Sequence, residues 1–416
     1  MLRAVLFGCS SIALTLLSCG PSARACVGDS CGDDGSGSGS GGSGDGSCTY
    51  DPAAYDIPGD GIDNDCDGIV DNPPAACDSG LSPTSTDAKD FAKAIDICQV
   101  SDGTKWGLVS ATYSLTNGTG TIDDSQHYLN ANFGTGVTPK EGATLAILGS
   151  GPVRAGTGFA DYDEESANGN SAPYPADWLS ANGNKLPNAP GCPNPLGNQA
   201  MSPIMVTLKI KVPDNVNSFT VDTNFFSAEF PEWVCSNYND FFVELLDSTY
   251  NGSDANPTDK NLAFYSPTSN PSEKYPVGVN LAYGNTGLFT ECTNGSIGCE
   301  GMSTTINTCT GTSEIMGNGF SQDDAECDGK VGGATGWLVT RGNVTPGETM
   351  TLRIAVWDTS DDALQSLAVI DNFAWNGSAA PPGTTILVDK PSDETTLQNR
   401  SQSEAEAVEN EASPRP

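Results

Sequence analysis

The sequence predicts a mainly β protein: an antiparallel β-sandwich of jelly-roll type with long disulfide-pinned loops and one short N-terminal helix, preceded by a flexible linker and an Asp-rich metal loop. Three observations carry this. Apolar residues alternate with period two in run after run, as in Val206, Leu208, Ile210 and Val212 or Met350, Leu352, Ile354 and Val356. Turns rich in Gly, Asn, Pro and Asp separate the runs, and no alternating strand and helix units appear. The cysteines are numerous and none forms a CxxC pair, which suits disulfides in an exported chain.

The chain opens with "MLRAVLFGCSSIALTLLSCG", in which Arg3 precedes an apolar stretch, Ala4 to Leu17, too short to span a bilayer. Residues 1–18 are therefore expected to be a signal peptide. "LLSC" resembles a bacterial lipobox, which implies cleavage before Cys19, acylation of its thiol, and a membrane contact through that lipid. Ordinary cleavage after "ARA", leaving Cys26 first, is the alternative. The expected location is the bacterial outer membrane or cell surface, with plain secretion as the other reading. Residues 19–47 then form a Gly/Ser tether that supports no core.

Of the 14 cysteines, Cys9 leaves with the signal and Cys19 takes lipid, so 14 − 2 = 12 remain. They are expected to form six bridges, with connectivity left open.

Residues 48–78 are Asp-rich, and no Lys or Arg occurs between Arg24 and Lys89. "DNDCDGIVD" sets Asp63, Asp65 and Asp67 at the first, third and fifth positions of a calcium loop, with Gly68 at the turn, the Ile69 carbonyl next and Asp71 at the ninth position. Asp60 lies close enough to add an oxygen. Hard Ca²⁺ takes six to eight oxygen ligands, and its charge would relieve the repulsion among the carboxylates. Pro74 stands where an EF-hand carries its bidentate Glu, and neither flank can be helical. The competing reading is a solvated acidic linker. The segment resembles the calcium loops of thrombospondin type 3 and dockerin modules, and more closely the MopE-type metal-binding repeat, a family name associated with copper. Copper is disfavoured here: Cu(I) seeks thiolate or thioether and Cu(II) imidazole, and the segment offers neither once Cys66 is bridged.

The sandwich is expected over residues 85–378. Its one helix lies in "STDAKDFAKAIDIC", with Thr86 as N-cap. Strands are expected at "WGLVSATYSL", "ATLAIL", "IMVTLKIKV", "SFTVDTNFFSA", "DFFVELLDS", "GWLVTR", "TMTLRIAVWD" and "SLAVIDNFAW". From residue 379 to 416 the chain is Pro-rich and then acidic and polar, so disorder is expected. "FFSAEFPEWVCSNYNDFFVELL" and "GGATGWLVTRGNVTPGETMTLRIAVWDTSDDALQSLAVIDNFAW" resemble the choice-of-anchor L domain. That resemblance implies an extracellular β-rich module and no particular activity.

Four further groups are candidates. Asp358, Asp361, Asp362 and Asp371 could form a second metal site where a turn meets the last strand, against a plain polar turn. Asp161, Asp163, Glu164 and Glu165 read first as a solvated loop. Trp178 and Trp233 could stack on sugar rings, although such aromatics are more often core. Glu229 and Glu232 are the one carboxylate pair a glycoside hydrolase might use.

Composition narrows the function. With 53 Asp and Glu against 18 Lys and Arg, the formal charge is −35. Too few cations exist to bind nucleic acid or to dock on anionic lipid. The single histidine, His127, rules out His-rich metal centres, and no GxSxG or phosphate-loop motif occurs. An enzyme is not expected. The favoured reading is a surface protein displaying the sandwich for adhesion or for binding a ligand such as a polysaccharide or a surface protein. The rivals are a purely structural envelope or matrix protein and, last, a secreted glycoside hydrolase.

Overall fold

The alternating apolar residues become the facing walls of two antiparallel sheets. The computed structural model describes residues 48–153, 170–284, 286–298, 305–324 and 329–387. Cys19, residues 1–47, the group Asp161, Asp163, Glu164 and Glu165, and residues 388–416 of the expected tail fall outside them.

The strands of the main sheets are β1 (Gly107–Ser114), β2 (His127–Asn130), β3 (Leu145–Gly149), β4 (Ala200–Lys211), β5 (Ser218–Ser227), β6 (Phe241–Asp247), β7 (Gly333–Asn343), β8 (Thr349–Thr359), β9 (Ser366–Asn376) and β10 (Gly383–Ile386). One sheet has the order β1-β4-β8-β6, and the other β10-β7-β5-β9-β3-β2. Every pairing between these strands is antiparallel. The register sets Leu352 opposite Leu208 and Ile354 opposite Val206, so both apolar sets point the same way.

Between the sheets, Val206, Leu208, Leu352 and Ile354 meet Phe219, Val221, Ala368 and Ile370 in one fully buried cluster. Thr207 and Lys211 remain half-buried and Lys209 exposed on the opposite face of β4. Long loops cover much of the outer faces. Phe133, Ile315 and Phe320 close over Phe226 and Val369, while Tyr174 and Trp178 close over Phe241 and Trp357.

Three sequence expectations need correction. Helix α1 (Ala88–Ala94) is present, but its N-cap is Asp87 rather than Thr86, because the Asp87 carboxylate accepts the Lys89 N–H at 3.0 Å. A second helix, α2 (Ala176–Ala181), also forms; it is too short for its sequence to announce it, and burial of Trp178 fixes it. The sandwich does not end at residue 378: β10 adds to β7, and Thr384 and Thr340 share a buried hydroxyl contact of 3.0 Å.

Disulfides join Cys48 to Cys66, Cys77 to Cys98, Cys192 to Cys235 and Cys292 to Cys309. Cys26, Cys31, Cys299 and Cys327 lie outside the described residues. The described residues all fall in one unit, so the Asp-rich segment is not a separate bead. No helix of the described residues is long and apolar enough to cross a membrane.

The Cys192–Cys235 bridge spans 43 residues. Loop-closure entropy puts its contribution at about 4 kcal/mol. Replacing both cysteines by Ala should lower the free energy of unfolding in guanidinium by about that amount. An unchanged midpoint would show that the long loop is restrained without it.

Candidate metal loop and the adjoining pocket

Short Asp and Asn side chains in the 56–72 segment accept hydrogen bonds from backbone a few residues away, and this local habit folds the loop. Asp63 accepts the N–H groups of Asp67 (3.1 Å) and Gly68 (2.9 Å). Asp65 accepts the Asp67 N–H at 3.1 Å, and Asp67 accepts that of Ile69 at 2.8 Å. Gly68 has φ +97°, a conformation that side-chain-bearing residues rarely adopt, and so completes the turn.

As a result, one carboxylate oxygen each from Asp63, Asp65 and Asp67 lies within 4.8 Å of the others. Among the described residues no other trio of acidic, His or Cys side chains is gathered this closely. Burial raises the Asp65 carboxyl, and the charges of Asp67, Asp56 and Asp63 add to it. A cation is what such an arrangement favours.

The other expected ligands have different jobs. Asp71 turns across the loop to accept the N–H groups of Gly59 (2.9 Å) and Gly61 (3.2 Å). Asp60 accepts from Ile62 N–H and the Asn64 side chain. The Ile69 side chain is exposed. Neither Asp60 nor Asp71 belongs to the close trio.

Sequence reasoning missed the hub of the segment. Asp56 is buried and accepts the N–H groups of both Asn64 (2.9 Å) and Asn72 (2.5 Å). The signal was there: "DGIDN" and "DGIVDN" are near-repeats, and each contributes its final Asn to the same carboxylate. The Cys48–Cys66 bridge and an Asp51 N–H to Asp65 carbonyl bond of 2.8 Å fasten the loop from the other side. Docking onto the sandwich uses Tyr55, whose backbone makes two 2.8 Å bonds to the Asn215 side chain and whose ring meets Trp106 edge-on at 5.2 Å.

The second expected metal group is divided. Asp371 is buried on β9, where it accepts from Lys140 N–H (2.6 Å) and Asn372 N–H (2.8 Å) and has Asp96 as its charged neighbour. Asp358 sits at the end of β8, in a buried cluster with Glu229 and Asp240; Asp361 is nearby, with Asp362 as its own charged neighbour. Asp240 is held by Thr359 N–H (3.0 Å) and the Ser366 hydroxyl (2.7 Å), while Glu229 Oε2 and Asp358 Oδ1 make no hydrogen bond. Glu229 therefore works inside the protein, among acids.

Trp178 cannot stack on a ligand: it is fully buried between Phe241 and Trp357, with ring centroids 5.6 and 5.5 Å away. Trp233 is half-buried and meets Tyr238 edge-on at 5.1 Å. His127 is buried, stacked on Tyr113 at 4.4 Å, and burial lowers its pKa so that the ring is neutral.

A cavity of about 290 Å³ opens where the Asp-rich segment meets the sandwich. It is lined by Tyr55, Pro58, Pro73 and Pro74 from the segment and by Trp106, Phe373 and Trp375 from the sandwich, together with Asp96 and Glu141. Asp96 Oδ2 makes no hydrogen bond. Comparison of the chain with protein-family models, with curated proteins and with solved structures finds no match.

Burial is the main cause pushing four carboxyls up: Asp96 and Asp240 to about 7, Glu244 and Asp371 to about 8. The folded protein thus keeps protons that the unfolded chain releases near pH 4. Their contribution is complete below that pH and is lost as pH rises through 7 and 8. In metal-free buffer the thermal midpoint should therefore fall between about pH 5 and 8, and Glu244→Gln should flatten the decline. A midpoint that climbs across this window would contradict the protonated assignment.

Proposed function

We propose that this is an exported, lipid-anchored surface protein whose sandwich serves adhesion or ligand binding, with calcium at Asp63, Asp65 and Asp67 clamping the segment that leads into it. The observation that carries the metal reading is the gathering of three carboxylates within 4.8 Å on a loop fixed by its own backbone. All three donors are hard oxygens, and Cys66 is consumed in a bridge, so the loop suits Ca²⁺ and offers copper neither thiolate nor imidazole. With Pro74 replacing the bidentate ligand, affinity belongs in the weak extracellular range, on the order of 10⁻⁴ to 10⁻³ M.

The anchor rests on "LLSC" and the Gly/Ser tether, and the display role on the likeness to choice-of-anchor L and MopE-type modules. The partner on this reading is a polysaccharide or another surface protein. Saturable binding on a glycan array supports it; self-association without such binding favours a structural envelope role instead.

Calorimetry on the mature protein with Ca²⁺, Mg²⁺ and Cu²⁺ tests the metal. Ca²⁺ should bind, Asp65→Ala should weaken it at least several-fold, and the sandwich should stay folded. No heat at millimolar Ca²⁺, or a preference for Cu²⁺, sinks the assignment. For the anchor, Cys19→Ser should abolish acylation and release the protein from membranes; an acylated, membrane-bound variant would place the lipid elsewhere.

A further inference from the structure

We propose that the cavity between the Asp-rich segment and the sandwich binds a small organic cation, an ammonium group carrying methyl or other alkyl substituents. The inference rests on reading the body as a ligand-binding module, and it adds a small-molecule site beside whatever surface engages the polysaccharide or protein partner.

Four aromatic rings reach the cavity: Tyr55 from the Asp-rich segment, Trp106 at the entry to β1, and Phe373 and Trp375 on β9. Trp106 and Tyr55 pack edge-on, as do Phe373 and Trp375 at 4.8 Å, so the rings are held in place before any ligand arrives. Trp106 is further pinned by its Nε1–H to the Ala54 carbonyl at 2.9 Å. Aromatic faces carry negative potential and attract a positive group placed over them.

The charged groups decide the class of ligand. Asp96 and Glu141 are the ionisable acids in the lining, and no Lys or Arg is among the lining residues. Asp96 sits just past α1 in a left-handed conformation (φ +68°); its carboxyl takes a hydrogen bond from the Asn372 backbone, while its Oδ2 is unpartnered. Asp78 and Glu141 act on it electrostatically, and it acts in turn on Asp371. Such a site repels an anion.

A neutral sugar would need several donors and acceptors to replace the water around its hydroxyls, and besides the two acids the lining offers only the Asn372 amide, the Tyr55 hydroxyl and the Trp375 indole N–H, the Trp106 N–H being spent on Ala54. An alkylammonium needs no directed hydrogen bonds. It gains from the rings, from Glu141 and, once that carboxyl is ionised, from Asp96, and a cavity of about 290 Å³ is ample for a headgroup of this kind.

The test uses the mature protein, with tryptophan fluorescence and calorimetry as readouts. Choline should quench Trp106 and Trp375 saturably, while dimethylbutanol, its neutral carbon isostere, should not. At pH 8, where Asp96 is ionised, Asp96→Asn and Trp375→Leu should each weaken choline about tenfold, the loss expected for one desolvated charge or cation–π contact. Glu141 is exposed, so Glu141→Gln leaves the fold intact and should weaken binding in the same direction. Vesicles presenting choline headgroups form a separate arm; the acidic rim predicts that free choline binds and the phosphate-bearing headgroup does not. Equal binding of choline and dimethylbutanol overturns the cation assignment but keeps a ligand site. Neutral oligosaccharide binding lost in Trp375→Leu, without choline binding, does the same. Silence from every probe on folded protein overturns the site, and the glycan array then decides the broader reading alone.

Discussion

A chain with 53 acidic side chains and 18 basic ones must find something to do with its negative charge, and most features of this structure answer that requirement. Three answers recur. Asp side chains near the surface turn inward on their own backbone and accept N–H groups, as Asp63, Asp67 and Asp71 do. A few acids take the scarce cations: Asp177 is desolvated, yet Arg353 (2.6 Å) and Lys260 (2.7 Å) hold it ionised. Others are buried and kept neutral, as Glu244 is beside Thr223 between the sheets. Each answer fixes local geometry, because an acid that needs a particular donor dictates where that donor's backbone lies.

The buried acids have a cost that the apolar core must cover. A neutral carboxyl keeps one proton to donate and still needs a partner, and Glu229 Oε2, Glu244 Oε2 and Asp358 Oδ1 have none among the described residues. These groups gather at one end of the sandwich, around the β5–β6 connection and the β8–β9 turn, or lie between the sheets. The fold tolerates them there because Val206, Leu208, Leu352 and Ile354 are fully buried a few residues away.

What could be read from the sequence follows from how local each cause is. Strand positions were legible, because alternation is a property of neighbours: Met350, Leu352, Ile354 and Val356 fall on β8 with all four buried. The trio Asp63, Asp65 and Asp67 was legible for the same reason. Trp178 was not, since nothing in "YPADWLS" tells that Trp357, 179 positions later, will pack against it. Asp371 and Asp358 seemed neighbours by number, but they stand on adjacent strands in sequence that belong to opposite sheets. Glu229 and Asp240 joined Asp358 only through that topology. The β10 strand escaped notice because four residues of "GTTI" borrow their order from the edge of β7.

The departure of the Asp-rich loop from an EF-hand finds its physical reason one turn beyond the acids. Asp56 gathers the N–H groups of Asn64 and Asn72, and the chain leaves Asn72 directly into Pro73 and Pro74. Proline holds φ near −65° and donates no hydrogen bond, so this stretch is stiff and asks for no ladder partner. It suits a wall. Where an EF-hand spends the twelfth position on a bidentate carboxylate, Pro74 here lines the cavity that Trp106 and Trp375 also line. A Glu at that place would add a further negative charge to a crowded segment and remove an apolar surface from the cavity. The loop thus gives up metal affinity at the residue that shapes the pocket. Order in the acidic segment and the form of the cavity are, on this geometry, two consequences of the same few hydrogen bonds to Asp56.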